Sequence, residues 1–308
     1  MDVALYTHVD MLDHRPGDGH PERPERLRAV IDALSDATDL ALIPNDAPLA
    51  EEADLARVHD PAHLERIFRL APTEEVHVLD EDTYMSAGSL VAARRAAGAA
   101  VKAVRDVATG RVQRAFCAVR PPGHHAEPGL PMGFCIFSNV AVAAKAAQAA
   151  GLKRIAVVDF DIHHGNGTQA AFAGQDGLFL ASIQQWPMWP GTGHPSENVA
   201  GNIANAVTPP GAPAEVWRQA FEGLLDQVDA FAPDLIIVSA GFDAHRRDPI
   251  GGAGQSLEEA DFAWATRAIV SVAERRAKGR VVSSLEGGYD LEALGRSALA
   301  HVRALADG

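Results

Sequence analysis

Asp159-Phe160-Asp161-Ile162-His163-His164-Gly165-Asn166, following directly on the apolar run 154–158 (RIAVV), decides how the rest of the chain is read. A short aliphatic run bounded by polar residues has the composition of a strand buried on both faces, as in a parallel sheet. The polar cluster then marks that strand's carboxyl end. The pattern recurs outward in both directions: 115–119 (AFCAV) runs into Arg120-Pro121-Pro122-Gly123-His124-His125, 234–239 (DLIIVS) into Gly241-Phe242-Asp243, and 280–285 (RVVSSL) into Gly287-Gly288-Tyr289. In an open parallel α/β sheet, ligands and chemistry collect beyond the carboxyl ends of the strands. Polar residues far apart in sequence are therefore expected to share one crevice.

Further strands are expected at 3–6 and 178–183, alternating with helices at 25–34, 61–70, 85–106, 139–150, 215–231, 257–276 and 291–306. The helix at 85–106 is Ala-rich, with small residues where close packing on a sheet would want them. Segment 13–24 is a Pro/Gly/His-rich loop, 44–48 a connection, and 184–195 a loop holding Trp186, Trp189 and three prolines. The strand 115–119, the helix 139–150 and the strand 154–158 read as one right-handed crossover unit of the kind that builds parallel sheets. The alternation is unbroken, with no repeat, low-complexity tract or linker. The expected fold class is α/β, a single mostly parallel sheet flanked by helices, in one domain over 1–308.

The net charge of −14, with no Lys/Arg cluster, argues against a nucleic-acid or anionic-membrane partner and mildly favours cationic substrates. Cys117 and Cys135 are too few for a disulfide framework, and Met1 is not followed by the basic and apolar segments of a signal peptide. A reducing, cytoplasmic setting is expected. No apolar stretch approaches the roughly 20 residues of a membrane span.

Residues two apart on an extended segment project to one side, so Asp161 and His163 can grip one ion while Ile162 points into the core. Asp243 makes a set of three. Three protein ligands with an open position suit a catalytic zinc, and this carboxylate-rich set also accepts Fe(II), Co(II) or Mn(II). Alone, Asp-x-His after a strand is as readily a helix cap or a satisfied polar turn; the second strand-end aspartate, the tandem histidines and Gly-Gly-Tyr favour the metal. Two carboxylates neutralise a divalent charge and leave bound water only modestly acidified, so a protein base is needed. An imidazole bonded to a buried carboxylate is stabilised as the cation, one bonded to an amide is not. His124 is accordingly assigned to Asp159 as a charged electrostatic partner, and His125 to Asn166 as the neutral base. Tyr289, on a Gly-Gly turn, is placed to donate its hydroxyl to an oxyanion.

The ordered set RPPGHH, GFC, DFDIHHGNGT, PGTG, SAGFDAH, DPIGG and LEGGY, covering almost the whole chain from the HPERPER segment at 20–26 to Tyr289, resembles the zinc-dependent histone deacetylase superfamily, which includes acetylpolyamine amidohydrolases and acetoin-utilisation proteins. The resemblance implies an arginase-like α/β fold, zinc on Asp161, His163 and Asp243, catalysis by His124, His125 and Tyr289, and hydrolysis of an N-acyl amide. It also implies that Gly133, Phe134 and Trp189 line a narrow acyl-lysine tunnel, with ordinary core packing as the alternative for the two aromatics. Asp82 falls at a rim position that accepts substrate backbone hydrogen bonds, a solvated helix start being the alternative. Arg26 matches a basic residue of an internal acetate-exit cavity, against a surface helix charge. Asp159 and Ser182 match positions that hold a buried monovalent cation, a structural K+. His164 reads as structural and Cys135 as a buried inert thiol.

Two rival classes are set aside on specific residues. An arginase-like ureohydrolase needs a third carboxylate after His163, where Asn166 stands instead. A non-catalytic acyl-ligand binding module would not need Tyr289 with both histidines. Between substrates, a polyamine calls for a rim acid to pair with its secondary ammonium, yet Asp248-Pro249 is followed by the apolar Ile250. Acyl-lysine or a related neutral acyl amide is expected over acetylpolyamines.

Overall fold

The structure, a computed structural model, describes residues 1–251 and 254–307. In chain order the elements are β1 (Val3–Thr7), α1 (Pro24–Ser35), β2 (Leu42–Asp46), α2 (Glu52–Leu55), α3 (Pro61–Leu70), β3 (His77–Val78), β4 (Tyr84–Met85), α4 (Ser89–Ala108), β5 (Arg114–Cys117) and α5 (Asn139–Ala149). There follow β6 (Ile155–Asp159), α6 (Asn166–Phe172), β7 (Leu178–Gln185), β8 (Ile203–Thr208), α7 (Ala214–Phe231), β9 (Leu235–Ala240), α8 (Glu259–Arg276), β10 (Val281–Leu285) and α9 (Leu291–Ala306).

Eight strands form one parallel sheet in the order β2-β1-β5-β10-β9-β6-β7-β8. The aliphatic runs of β5, β10, β9, β6 and β7 are buried throughout, as a sheet covered on both faces requires. One helical group packs α4 on α5; the other joins α1 and α8 to α9, and α7 to α8. In α4 the small residues have the expected use. Ala92, Ala93, Ala96, Ala97 and Ala100 are buried, and at Gly98 an added Cβ would strike the backbone of Pro48.

Two expectations are corrected. The helix expected at 85–106 starts at Ser89, because Tyr84–Met85 pairs with His77–Val78 as a short antiparallel ribbon and the Ser89 hydroxyl accepts from the Ser86 amide at 2.7 Å. The connection expected at 44–48 is largely the edge strand β2, which pairs with β1 in register Val3↔Leu42. Pro44 is tolerated there because an edge strand leaves one row of amides unpaired. The crossover unit β5, α5 and β6 stays within one parallel sheet, with β10 and β9, formed much later in the chain, lying between its two strands. The short helix α6 and the strand β8 have no counterpart in the sequence reading. The consequence for function is direct, since the four strands whose polar ends were singled out, β5, β10, β9 and β6, are contiguous in the sheet.

Candidate active site

Asp161 and His163 follow β6, and Asp243 follows β9. One donor atom from each lies within 4.8 Å of the others. All three side chains are buried. His163 Nδ1 stands 3.1 Å from both Asp161 Oδ1 and Asp243 Oδ2. Backbone amides hold the carboxylates in place: Ile162 donates to Asp243 Oδ1 at 3.1 Å, and Gly287 to Asp161 Oδ2 at 3.0 Å. The amide at Gly287 can come this close only without a side chain, because a Cβ would collide with the carboxylates of both Asp243 and Asp161. Gly241 is constrained in the same way by Asp161. Among the described residues neither carboxylate has a lysine or arginine partner. Burial and the adjacent Asp161 push Asp243 up to about 7. Two crowded, buried acids and an imidazole, with no lysine or arginine paired to them among the described residues, form a donor set that fits a divalent ion.

The tandem histidines come from the loop after β5. His124 Nδ1 lies 3.0 Å from Asp159 Oδ2, and His125 Nδ1 lies 2.8 Å from Asn166 Oδ1. The rings sit 3.9 Å apart, yet their titrations diverge. Burial opposes charging of His124, but Asp161 and then Asp159 outweigh it and raise it to about 10. Burial, followed by repulsion from His124, holds His125 well below the usual imidazole range. Two buried carboxylates, Asp161 and Asp159, act on His124, whereas the Asn166 amide brings His125 no charge to offset its burial.

Tyr289 is fixed from several sides. Its amide donates to Asp248 Oδ2 at 2.6 Å, and the guanidinium of Arg26 lies 4.8 Å from its ring centre. Arg26 is fully buried and donates to the carbonyls of Gly288 and Glu286 at 2.6 and 2.5 Å, so the surface-charge reading is excluded. The Gly-Gly turn is less a source of flexibility than of close approach at Gly287, with Gly288 at φ +120°. Burial pushes the Tyr289 phenol well above its ordinary value. It stays a protonated donor.

A cavity of about 190 Å³ opens onto this group. His125, His163 and Tyr289 form its reacting end, and Asp82, Gly133, Phe134, Trp189 and Ile250, all five of the expected substrate-contact positions, line the rest. Trp189 is 43% and Ile250 36% exposed, which places both at the rim rather than in the core. Gly133 cannot bear a side chain, since a Cβ would sit 2.5 Å from the His125 ring and 2.6 Å from that of Trp189. Asp82 is not a helix start: it lies in the turn between β3 and β4 and accepts from the Gly133 amide at 3.2 Å and the Thr83 hydroxyl at 3.0 Å. Ser182 is the register partner of Asp159 and donates to Gln184 at 2.8 Å. His164 turns away, bonded to Thr192 and Gln169 at 2.8 and 3.0 Å. Cys135 is buried, and burial raises its thiol well above normal. Gly252, the last residue of the DPIGG motif, lies outside the described residues.

Several acids escaped the sequence reading. Glu286 accepts from the amides of Gly123 and His124 at 2.6 and 3.2 Å and from the Ser239 hydroxyl at 3.2 Å, tying β10 to the tandem-histidine loop. Glu22 grips Arg120 with two bonds of 2.8 and 2.7 Å. Asp248 holds the amides of Ile250 and Gly251 as well as that of Tyr289. Glu286 and Asp248 stand inside the quoted motifs, but the bonds that reach the site, to the amides of Gly123 and His124 and to that of Tyr289, span long stretches of chain and leave no local spacing signal.

The family model of the histone deacetylase domain matches residues 20–305. The chain belongs to the histone deacetylase family. It is 38% identical to a "Histone deacetylase-like amidohydrolase" of Pseudomonas aeruginosa over 88% of this chain and 73% of that one. Against "Type-2 histone deacetylase 2" of Dictyostelium discoideum it is 33% identical over 98% of its own length, but it spans only 20% of that longer relative. The solved structure of the HDA15 HD domain superposes with a TM-score of 0.90 at 34% identity, covering 99% of this chain and 88% of that one. This hydrolase family and its arginase-like α/β fold agree with the motif-based expectation.

Proposed function

We propose that the whole chain acts as one catalytic domain, a zinc-dependent hydrolase of N-acyl, chiefly N-acetyl, amides. The observation that carries this is the pair of oppositely tuned histidines beside a three-donor metal group at the end of a 190 Å³ cavity. Asp161, His163 and Asp243 would hold the ion, Zn2+ or alternatively Fe2+ or Co2+, which when bound supplies Lewis acidity toward the acyl carbonyl and acidifies water. His125, neutral and with Nε2 free toward the cavity, accepts the proton of the attacking water and afterwards returns it to the leaving amine. His124, kept cationic by Asp159, offsets the negative charge that develops beside it. Tyr289 donates its hydroxyl to the carbonyl oxygen as that oxygen becomes an oxyanion. Asp159 and Ser182, paired across β6 and β7, would hold a structural K+. The two free cysteines and the absence, among the described residues, of a helix long and apolar enough to cross a membrane accompany the cytoplasmic reading, with no nucleic-acid or membrane partner.

The substrate reading is an acyl-lysine or related neutral acyl amide. Phe134 and Trp189 supply aromatic walls for an alkyl stem, and Ile250 places an apolar group where a polyamine would need an acid. Acetylpolyamines are the second reading, favoured by Asp82 on the same cavity and by the charge of −14. A side-by-side panel of acyl-lysine peptides, acetylpolyamines and small acetamides decides between them. About one divalent ion per chain is expected, with Asp161→Ala or Asp243→Ala losing metal and turnover together. Two tightly bound ions, or full activity after exhaustive chelation, would overturn the mechanism.

A further inference from the structure

The bond between His125 and Asn166 works only in one orientation of the amide. With Oδ1 toward the ring, Asn166 accepts from His125 Nδ1–H, and Nε2 is left as the lone-pair nitrogen facing the cavity. With the amide turned over, its NH2 group would face Nδ1, select the other tautomer, and leave Nε2 protonated and unable to act as a base. An asparagine carries no intrinsic preference between these two states. Something else must set it.

Three acceptors surround Asn166 Nδ2: Glu127 Oε1 at 2.8 Å, Met132 Sδ at 3.3 Å and the His125 carbonyl at 3.4 Å. The thioether is a weak acceptor and the carbonyl contact is long, so the carboxylate is the dominant one. It also penalises the turned amide, which would place Oδ1 against a like-charged oxygen. Glu127 is itself held by a tight turn in which its amide donates to the Leu130 carbonyl at 2.9 Å. It is half-buried and touches neither the cavity nor the metal group.

We propose that Glu127 is a positioning residue for the hydrolytic reaction: through Asn166 it fixes the tautomer of His125 and thereby makes Nε2 the base. The proposal rests on the reading of His125 as the neutral base, and it identifies what an amide partner requires that an aspartate would not. Aspartate presents two equivalent acceptor oxygens and has no wrong orientation, so an aspartate at 166 would need no Glu127 and would be repelled by it.

The test is a double-mutant cycle on the purified metal-loaded enzyme. E127A should lower kcat roughly tenfold with KM within about twofold, well short of the ~10⁴ loss seen when a catalytic histidine is locked in the wrong tautomer, because Met132 and the His125 carbonyl still bias the amide. E127Q keeps an acceptor oxygen for Nδ2 and should restore most of the loss, which separates orientation from charge. In the N166D background the sign should reverse, with N166D/E127A as fast as N166D or faster. A purely structural role for Glu127 predicts the same loss in both backgrounds, and that result, or wild-type kcat in E127A, would overturn the proposal. H125A separates this from the underlying reading: if it turns over at the wild-type rate the base assignment itself fails, whereas an inactive H125A with an unreversed E127A effect sinks the role of Glu127 alone.

Discussion

At the scale of single residues, the site works by giving like side chains unlike partners. His124 and His125 are chemically identical and their rings lie 3.9 Å apart, yet Asp161 and Asp159 make one a cation, while burial and that neighbouring charge leave the other, bonded to Asn166, neutral. Replacing the base should therefore be at least as damaging as replacing the phenol. Tyr289→Phe is expected to keep metal and fold while lowering kcat by roughly a hundredfold or more, the scale of one lost oxyanion donor, and His125→Ala to fall at or below that level. Steady-state kinetics with metal analysis checks both, and a His124→Ala far slower than His125→Ala would exchange the two assignments. At the rim, Ile250→Glu should shift selectivity toward acetylpolyamines, read as the ratio of kcat/KM values. A wild-type enzyme already preferring acetylpolyamines tenfold, about 1.4 kcal/mol in transition-state binding, would reject the acyl-lysine reading.

At the scale of elements, the cavity wall depends on a helix that never touches substrate. The segment carrying Gly133 and Phe134 is tied down from the N-terminal end of α3. The Asp60 amide donates to the Pro128 carbonyl at 2.9 Å, His59 Nε2 accepts from the Ser138 amide at 2.9 Å, and His63 Nε2 bonds the Ile136 carbonyl at 3.1 Å. His59 is buried, and burial followed by the nearby His63 lowers it to about 3 from 6.5. A depressed histidine means that the native state binds fewer protons than the unfolded one. Its contribution is complete above 6.5 and is lost as pH falls from there toward about 3. Wild-type stability should thus decline through this acid range, by up to about 1.4 kcal/mol per pH unit for each such group. His59→Gln should be less stable by ~1–2 kcal/mol near neutrality through its poorer hydrogen bonds and should have the shallower acid limb. Denaturant titrations at neutral and acid pH measure both, and parallel limbs would contradict the assignment.

For the molecule as a whole, the charge of −14 is a long-range property, whereas selection occurs within the cavity. Screening acts over about 8–10 Å at physiological salt, so the field changes encounter more than discrimination. Raising ionic strength should lower kcat/KM for a cationic acyl amide and leave a neutral one nearly unchanged, with kcat unaffected in both. An equal salt effect on the two would show that charge does not steer this enzyme.

The chain's local patterns determined the central strands, the major helices and the residues that the fold gathers at the candidate site. Short aliphatic runs bounded by polar residues have the composition of a doubly covered strand, and the polar clusters that follow mark the strands' carboxyl ends. Edge strand β2 and short helix α6 were not legible because half-exposed backbone pairing and two-turn helices leave no strong periodicity. Tertiary structure alone decided that β10 and β9 lie between β5 and β6, which makes the four polar strand ends contiguous. It also decided the work of Glu286, Asp248 and Glu127. Their partners are backbone amides, a serine hydroxyl and an asparagine side chain, some more than a hundred residues away, as Glu286 is from Gly123. A hydrogen bond across the fold is fixed by where two segments meet, and neither segment's own residues encode that meeting.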